Sequence, residues 1–124
     1  TEHAVVSRRS LVKVDPALSF EEAALFGCAV LTGVGAVVNT AGVRAGQSVA
    51  VVGLGGVGLA SVLGALASGA QPVVAVDLSE DKLALARSLG PVQTVNAADA
   101  DAVEQVRALT NGGADVVFEM AGSV

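Results

Sequence analysis

Between Val49 and Ala60 the sequence reads VAVVGLGGVGLA, a β-branched run that passes into a glycine cluster with no polar loop between them. Val49 to Val52 is short and continuously apolar, the pattern of a strand covered on both faces. The glycines follow as Gly53-x-Gly55-x-x-Gly58, where a helix should open. In that setting Gly53 allows a tight turn, Gly55 lets a pyrophosphate approach the main chain, and Gly58 lets helix and strand pack closely. Gly56 adds further room. The helix N-terminus would meet the phosphates with free N–H groups and a partial positive charge. Alone the motif is weak, because glycine-rich turns also serve packing.

The flanking sequence supplies the context. Ala4 to Val14 reads as extended and partly alternating, and Asp15-Pro16 breaks it. Ser19 with Glu22 forms a capping box that starts a helix. Gly27 is expected to interrupt this helix beside Cys28, with a second stretch from about Thr32 to Ala41 capped by Gly42. Arg44 to Gln47 is a turn. From Ser48 onward strands alternate with helices: Gly56 to Ala67 is helical, Pro72 to Val76 a strand, and Ser79 caps a helix through Leu89. Val92 to Val95 is the third strand, Ala102 to Thr110 a helical stripe, and Ala114 to Phe118 the fourth strand after Asn111-Gly112-Gly113. This β-α-β-α-β-α-β order predicts an α/β fold, a Rossmann-like doubly wound parallel sheet in strand order 3-2-1-4, preceded by a helical segment. The sheet is incomplete beside the six strands of a full dinucleotide fold. Residues 1–47 are read as a linker and helical segment, and residues 48–124 as the nucleotide-binding unit.

Asp77 ends the second strand, about 20 residues beyond the glycines, where a carboxylate accepts hydrogen bonds from the ribose 2′- and 3′-hydroxyls of a dinucleotide. It would repel a 2′-phosphate. Leu78 and Ser79 follow it, with no adjacent Arg to welcome such a phosphate, so NAD is favoured over NADP. The plainer reading of Asp77 is a loop or helix-capping carboxylate. Lys82, in the first turn of a helix, reads by itself as a solvated lysine.

Composition removes other classes. The net charge of -5, with seven Lys and Arg scattered along the chain, argues against a nucleic-acid or acidic-membrane surface. Fifteen glycines, three Phe and no Trp or Tyr leave no aromatic platform for bases and fit helices packed on a parallel sheet. The apolar runs are broken by Gly, Ser and Arg, so no membrane-spanning helix of roughly 20 residues is expected. Residues 1–10 lack a signal-peptide h-region, and the single cysteine fits a reducing compartment; a cytoplasmic setting is the expectation.

Three stretches together resemble the zinc-dependent medium-chain alcohol dehydrogenases: GCAVLTGVGAVVNTAGVRAGQSVAVVGLGGVG from Gly27 to Gly58, then AVDLSEDKLALARSLG and NGGADVVFEMAGS. The resemblance covers nearly the whole chain. It implies the cofactor-binding part of an enzyme that moves hydride between an alcohol and an aldehyde or ketone, with NAD and a catalytic zinc acting as Lewis acid. By position Cys28 resembles a ligand of that zinc, Thr32 a contact on the nicotinamide side, and Val57 the apolar residue behind the nicotinamide ring. Asp77 matches the ribose-binding acid and Lys82 a basic residue reaching the same ribose. The resemblance also implies a homo-oligomer and a small-molecule alcohol or aldehyde substrate. Read without the family, a lone Cys28 among apolar residues is a buried, inert small hydrophobe. His3 is read as a surface residue, and the family's other zinc ligands have no counterpart in the sequence. A zinc-free reductase of the same superfamily, a non-catalytic NAD-binding module and, more distantly, a methyl-transfer domain remain alternatives.

Overall fold

In the computed structural model, which describes residues 3–122, four parallel strands form one sheet in the order β3-β2-β1-β4. They are β1 (Val49–Val52), β2 (Val73–Asp77), β3 (Val92–Asn96) and β4 (Val116–Glu119). The registers set Val49 opposite both Val73 and Val116, and Val73 opposite Val92. The expected fold class and strand order are both present.

The helices follow from the same patterning. Helix α1 (Phe20–Ala41) precedes the sheet, α2 (Gly56–Ala67) follows β1, α3 (Glu80–Ser88) follows β2, and α4 (Ala102–Leu109) follows β3. Alternation along the strands sends Val49, Val51, Val73 and Ala75 into the core shared with Val37, Val62 and Leu83. Val74, Val76 and Val95 point the other way, onto Ala102, Val106 and Leu109 of α4. A strand with period-two side chains and apolar residues at every position is thereby buried on both faces.

Helix α1 departs from expectation. Its start is the expected capping box: Ser19 Oγ accepts from Glu22 N–H at 3.2 Å, and the Glu22 carboxylate accepts from Ser19 N–H at 3.0 Å. Gly27, however, does not interrupt it. The helix runs unbroken through two π-type stretches, Phe26–Val30 and Ala36–Ala41, and closes at Gly42 with φ of 61°. A glycine inside a helix costs only about 1 kcal/mol relative to alanine, too little to break a helix held by packing. At 22 residues α1 is long and apolar enough by length and composition to cross a membrane, against the reading of broken apolar runs. In this structure it rests on α2.

That contact is made by small residues. A Cβ on Gly33 would stand 2.7 Å from Ala60 Cβ and 2.9 Å from Ser61 N. Ser61, fully buried, donates its hydroxyl to Val57 O at 2.9 Å and Gly33 O at 3.3 Å, tying the two helices together. Two further readings shift. The segment before α1 forms no strand and contains a short turn at Arg8–Ser10. Ser79 occupies the position before α3 but makes no side-chain cap; its main chain is engaged instead. Away from the carboxyl ends of the strands, Ser48 donates N–H and O–H to Asp115, each at 2.7 Å, and joins the starts of β1 and β4.

Because Gly33 leaves no space for a side chain, Gly33→Val should separate α1 from α2 and lower stability by about 1–3 kcal/mol, the usual cost of overpacking. Urea denaturation of the two proteins measures it, and an unchanged midpoint would show that this contact does not hold the helix.

Candidate functional site

The carboxyl ends of β1 and β2 meet at the glycine turn. Gly53 has φ of 88°, and its N–H is held by Val76 O at 2.8 Å, so the turn leaves the sheet abruptly. A Cβ on Gly53 would lie 2.6 Å from Ala121 Cα, and one on Gly58 would overlap the Gly53 carbonyl. These two glycines are required by close approach. Gly55 differs: nothing lies within 4 Å of where its Cβ would stand, and it is exposed. It precedes α2 without any side-chain cap, which leaves the first-turn N–H groups of that helix for an outside acceptor. Gly56 is exposed beside Ala29 of α1.

Asp77 stands across from this turn at the end of β2, its side chain 10% exposed. Oδ2 accepts the Leu54 N–H at 2.7 Å, Oδ1 accepts the Ser79 N–H at 2.9 Å, and Lys82 Nζ lies 3.6 Å from Oδ2. Burial pushes its pKa up, but the N–H groups of Ser79 and Leu54, with the Lys82 ammonium, outweigh it and leave the carboxyl below its ordinary value of 3.8. The group is a fixed, ionised carboxylate.

Gly53, Gly55, Asp77 and Lys82 line one open cleft of about 420 Å³, together with Ala97 and Met120. A second groove of about 440 Å³ lies on the α4 face over Ala50, Val106 and Val117. It is almost wholly apolar and holds none of the motif's glycines, so the site chemistry belongs to the first. Val57 and Gly58 sit on the first turn of α2.

Cys28 is exposed on α1, not a buried small hydrophobe. It lies one residue before Ala29, which faces Gly56, while Thr32 is exposed one turn further along. Among the described residues no three His, Cys, Asp or Glu side chains gather as metal ligands. These residues do not make a zinc site by themselves. Sequence reasoning missed the Leu54 N–H as the partner of Asp77, and Gly33 as the residue that seats α1 beside the turn. The signal for Gly33 was a small residue in the middle of an apolar helix, which points equally to weak propensity and to close packing.

A parallel sheet with a glycine turn and an acidic residue at the carboxyl ends of its central strands defines a Rossmann-like α/β domain of the dehydrogenase type. Residues 56–124 match the family model described as zinc-binding dehydrogenase, and the chain belongs to this family, that of the zinc-dependent alcohol dehydrogenases. It is 38% identical, with a TM-score of 0.84, to an alcohol dehydrogenase zinc-binding domain protein from Burkholderia ambifaria, over 90% of this chain and 30% of that one. Benzyl alcohol dehydrogenase from Acinetobacter calcoaceticus gives 36% identity and a TM-score of 0.83, over 90% of this chain and 31% of that one. An NAD-dependent alcohol dehydrogenase gives 45% identity and a TM-score of 0.75, over 81% of this chain and 29% of that one. The chain thus spans just under a third of the length of these relatives.

The lowered pKa of Asp77 fixes the sign of a pH effect. A carboxyl whose folded pKa is depressed contributes stability above its unfolded value, and the contribution is lost as pH falls through the folded one. The stability difference between this chain and Asp77→Asn should be largest above pH 3.8 and shrink below it. Denaturation curves at a series of pH values check this; a difference that stays constant into acid would contradict it.

Proposed function

We propose that this chain provides the NAD-binding part of a zinc-dependent alcohol dehydrogenase, which transfers hydride between a small alcohol and its aldehyde or ketone. The observation that carries the reading is the ionised Asp77 held opposite an open glycine turn. Family membership and the alcohol dehydrogenases among the similar structures support it. In this reading the N–H groups at the start of α2 receive the pyrophosphate, with Gly55 and Gly56 leaving the approach clear. Asp77 accepts the ribose hydroxyls, and Lys82 borders the same ribose. Val57 would flank the nicotinamide, and Thr32, exposed on α1, would contact it from the nicotinamide side. When bound, NAD supplies the hydride acceptor; the protein residues orient it.

Cys28 is part of the same proposal. Its exposed thiol would serve as one zinc ligand in the longer protein, the others coming from outside these residues, since a catalytic zinc takes three protein ligands. Residues 1–47 would connect the nucleotide-binding unit, 48–124, to that remainder. A homo-oligomer and a cytoplasmic setting, both expected from the sequence, belong to this reading as well.

Titration with NADH and with NADPH, followed by nicotinamide fluorescence, tests the cofactor assignment. NADH should bind more tightly by about tenfold or more, equivalent to roughly 1.4 kcal/mol per tenfold. Asp77→Ser should weaken NADH more than NADPH. The same NADH/NADPH ratio in both proteins would remove Asp77 from the ribose site.

A further inference from the structure

The Asp77 carboxylate is placed to do more than face a ribose. Leu54, whose N–H it accepts at 2.7 Å, is 1% exposed and forms part of the core. Its side chain is therefore anchored on one side of the residue while its N–H is fixed on the other. The neighbouring Gly53 N–H is taken by Val76 O at 2.8 Å, one residue before Asp77. The turn that leads into α2 is thus tied to the end of β2 at two consecutive main-chain groups, one of them through a side chain. Oδ1 holds Ser79 N–H at 2.9 Å and fixes the start of the next turn as well.

We propose that Asp77 is a positioning residue for the phosphate-receiving turn: by holding the Leu54 N–H it sets the conformation of Gly53–Gly55 and the N-terminus of α2. This inference rests on the cofactor reading above and goes beyond it, because it predicts an effect on ligands that offer no ribose hydroxyl. The physical reason is that a buried N–H stripped of its acceptor costs its full desolvation, so the turn must rearrange to find another partner. Glycine residues at 53 and 55 give the main chain the freedom to do so. A carboxylate has about four acceptor positions. With the Leu54 and Ser79 N–H groups using two, the ribose 2′- and 3′-hydroxyls add to the clamp and need not displace it.

The test uses ADP and 2′,3′-dideoxyadenosine 5′-diphosphate, with binding measured calorimetrically on this chain, Asp77→Ser and Asp77→Asn. Serine is too short to reach the Leu54 N–H, whereas asparagine keeps an oxygen at the right distance. Positioning predicts that Asp77→Ser weakens the dideoxy ligand about tenfold or more, and that Asp77→Asn restores most of that loss. Unchanged dideoxy binding in Asp77→Ser, with ADP weakened, would confine Asp77 to the ribose and overturn the proposal. Equal losses in the two variants would overturn it too, since the retained oxygen would then not matter. If the parent chain binds neither these ligands nor NADH, the cofactor reading fails, and the positioning claim with it. Amide exchange in the unliganded chain gives a readout independent of ligand. Leu54 should exchange at least about tenfold faster in Asp77→Ser while core amides of β2 stay protected; equal Leu54 protection in both proteins would overturn the clamp even if binding changed. Loss of protection throughout would mark a variant that has not folded, leaving Asp77→Asn and Leu54 exchange in it to decide: faster exchange there would count against the retained oxygen as the holding group.

Discussion

The approach of α2 to the end of β1 is the constraint on which the rest of this structure depends. The space between Gly58 and the Gly53 carbonyl admits no side chain. That contact fixes where α2 begins, and so where its uncapped N–H groups point. It also sets α2 close enough to the sheet for Val62 and Ala65 to fill the core, both fully buried. On its other side α2 receives α1 through Gly33 and Gly64, where a Cβ on Gly64 would stand 3.3 Å from Val34 Cα. Three layers are packed at main-chain distance. Small residues here exchange side-chain burial for close backbone approach, which is why a chain with 15 glycines has a dense core of Val, Leu and Ala.

The sheet and its order were readable because each strand is a short β-branched run bounded by Gly, Pro or Asp, and because right-handed crossovers restrict how such units assemble. The ends of elements were readable wherever a side chain makes the cap. Ser19 and Glu22 satisfy each other's main chain, and Gly42 alone fits the left-handed closure of α1. Ser79 misled because residue type alone does not make a cap: its hydroxyl accepts nothing from the first turn of α3, and it is engaged through its main-chain N–H, which Asp77 holds. Gly27 and Cys28 misled because local propensity was allowed to decide a question of tertiary support. α1 persists through its glycines because α2 holds it, and Cys28 falls on the side that α2 does not cover. Of the candidate site, the glycine spacing and Asp77 were legible as a pattern. The partner of Asp77 was not, since a main-chain N–H leaves no mark in the sequence.

The two faces of the sheet are unequally covered. One carries α1, α2 and α3 and the larger core; among the described residues the other carries α4 alone, over Val74, Val76 and Val95. The apolar groove beside α4 is the part of that face left open, and Val117 on the edge strand β4 is 60% exposed. Burial of a parallel sheet is normally complete on both faces. The candidate cleft adjoins this groove and shares Val52, Val76 and Ala97 with it, so whatever covers the groove borders the cleft as well.

Two charges of opposite sign border the cleft, and their mobility decides which of them a ligand senses. Asp77 is fixed by two main-chain N–H groups and largely buried, while Lys82 is 49% exposed and held at 3.6 Å by that single carboxylate. An exposed lysine can swing into solvent at little cost, because a surface ion pair of this kind contributes roughly 0–1 kcal/mol. The carboxylate has no such freedom. Under the proposed reading a 2′-phosphate entering the cleft meets a negative charge that cannot withdraw and a positive one that gains little by staying. Hydroxyls meet the same carboxylate as an acceptor already oriented for them. In that reading discrimination between the two cofactors would come from the rigidity of Asp77, to which the Leu54 N–H contributes.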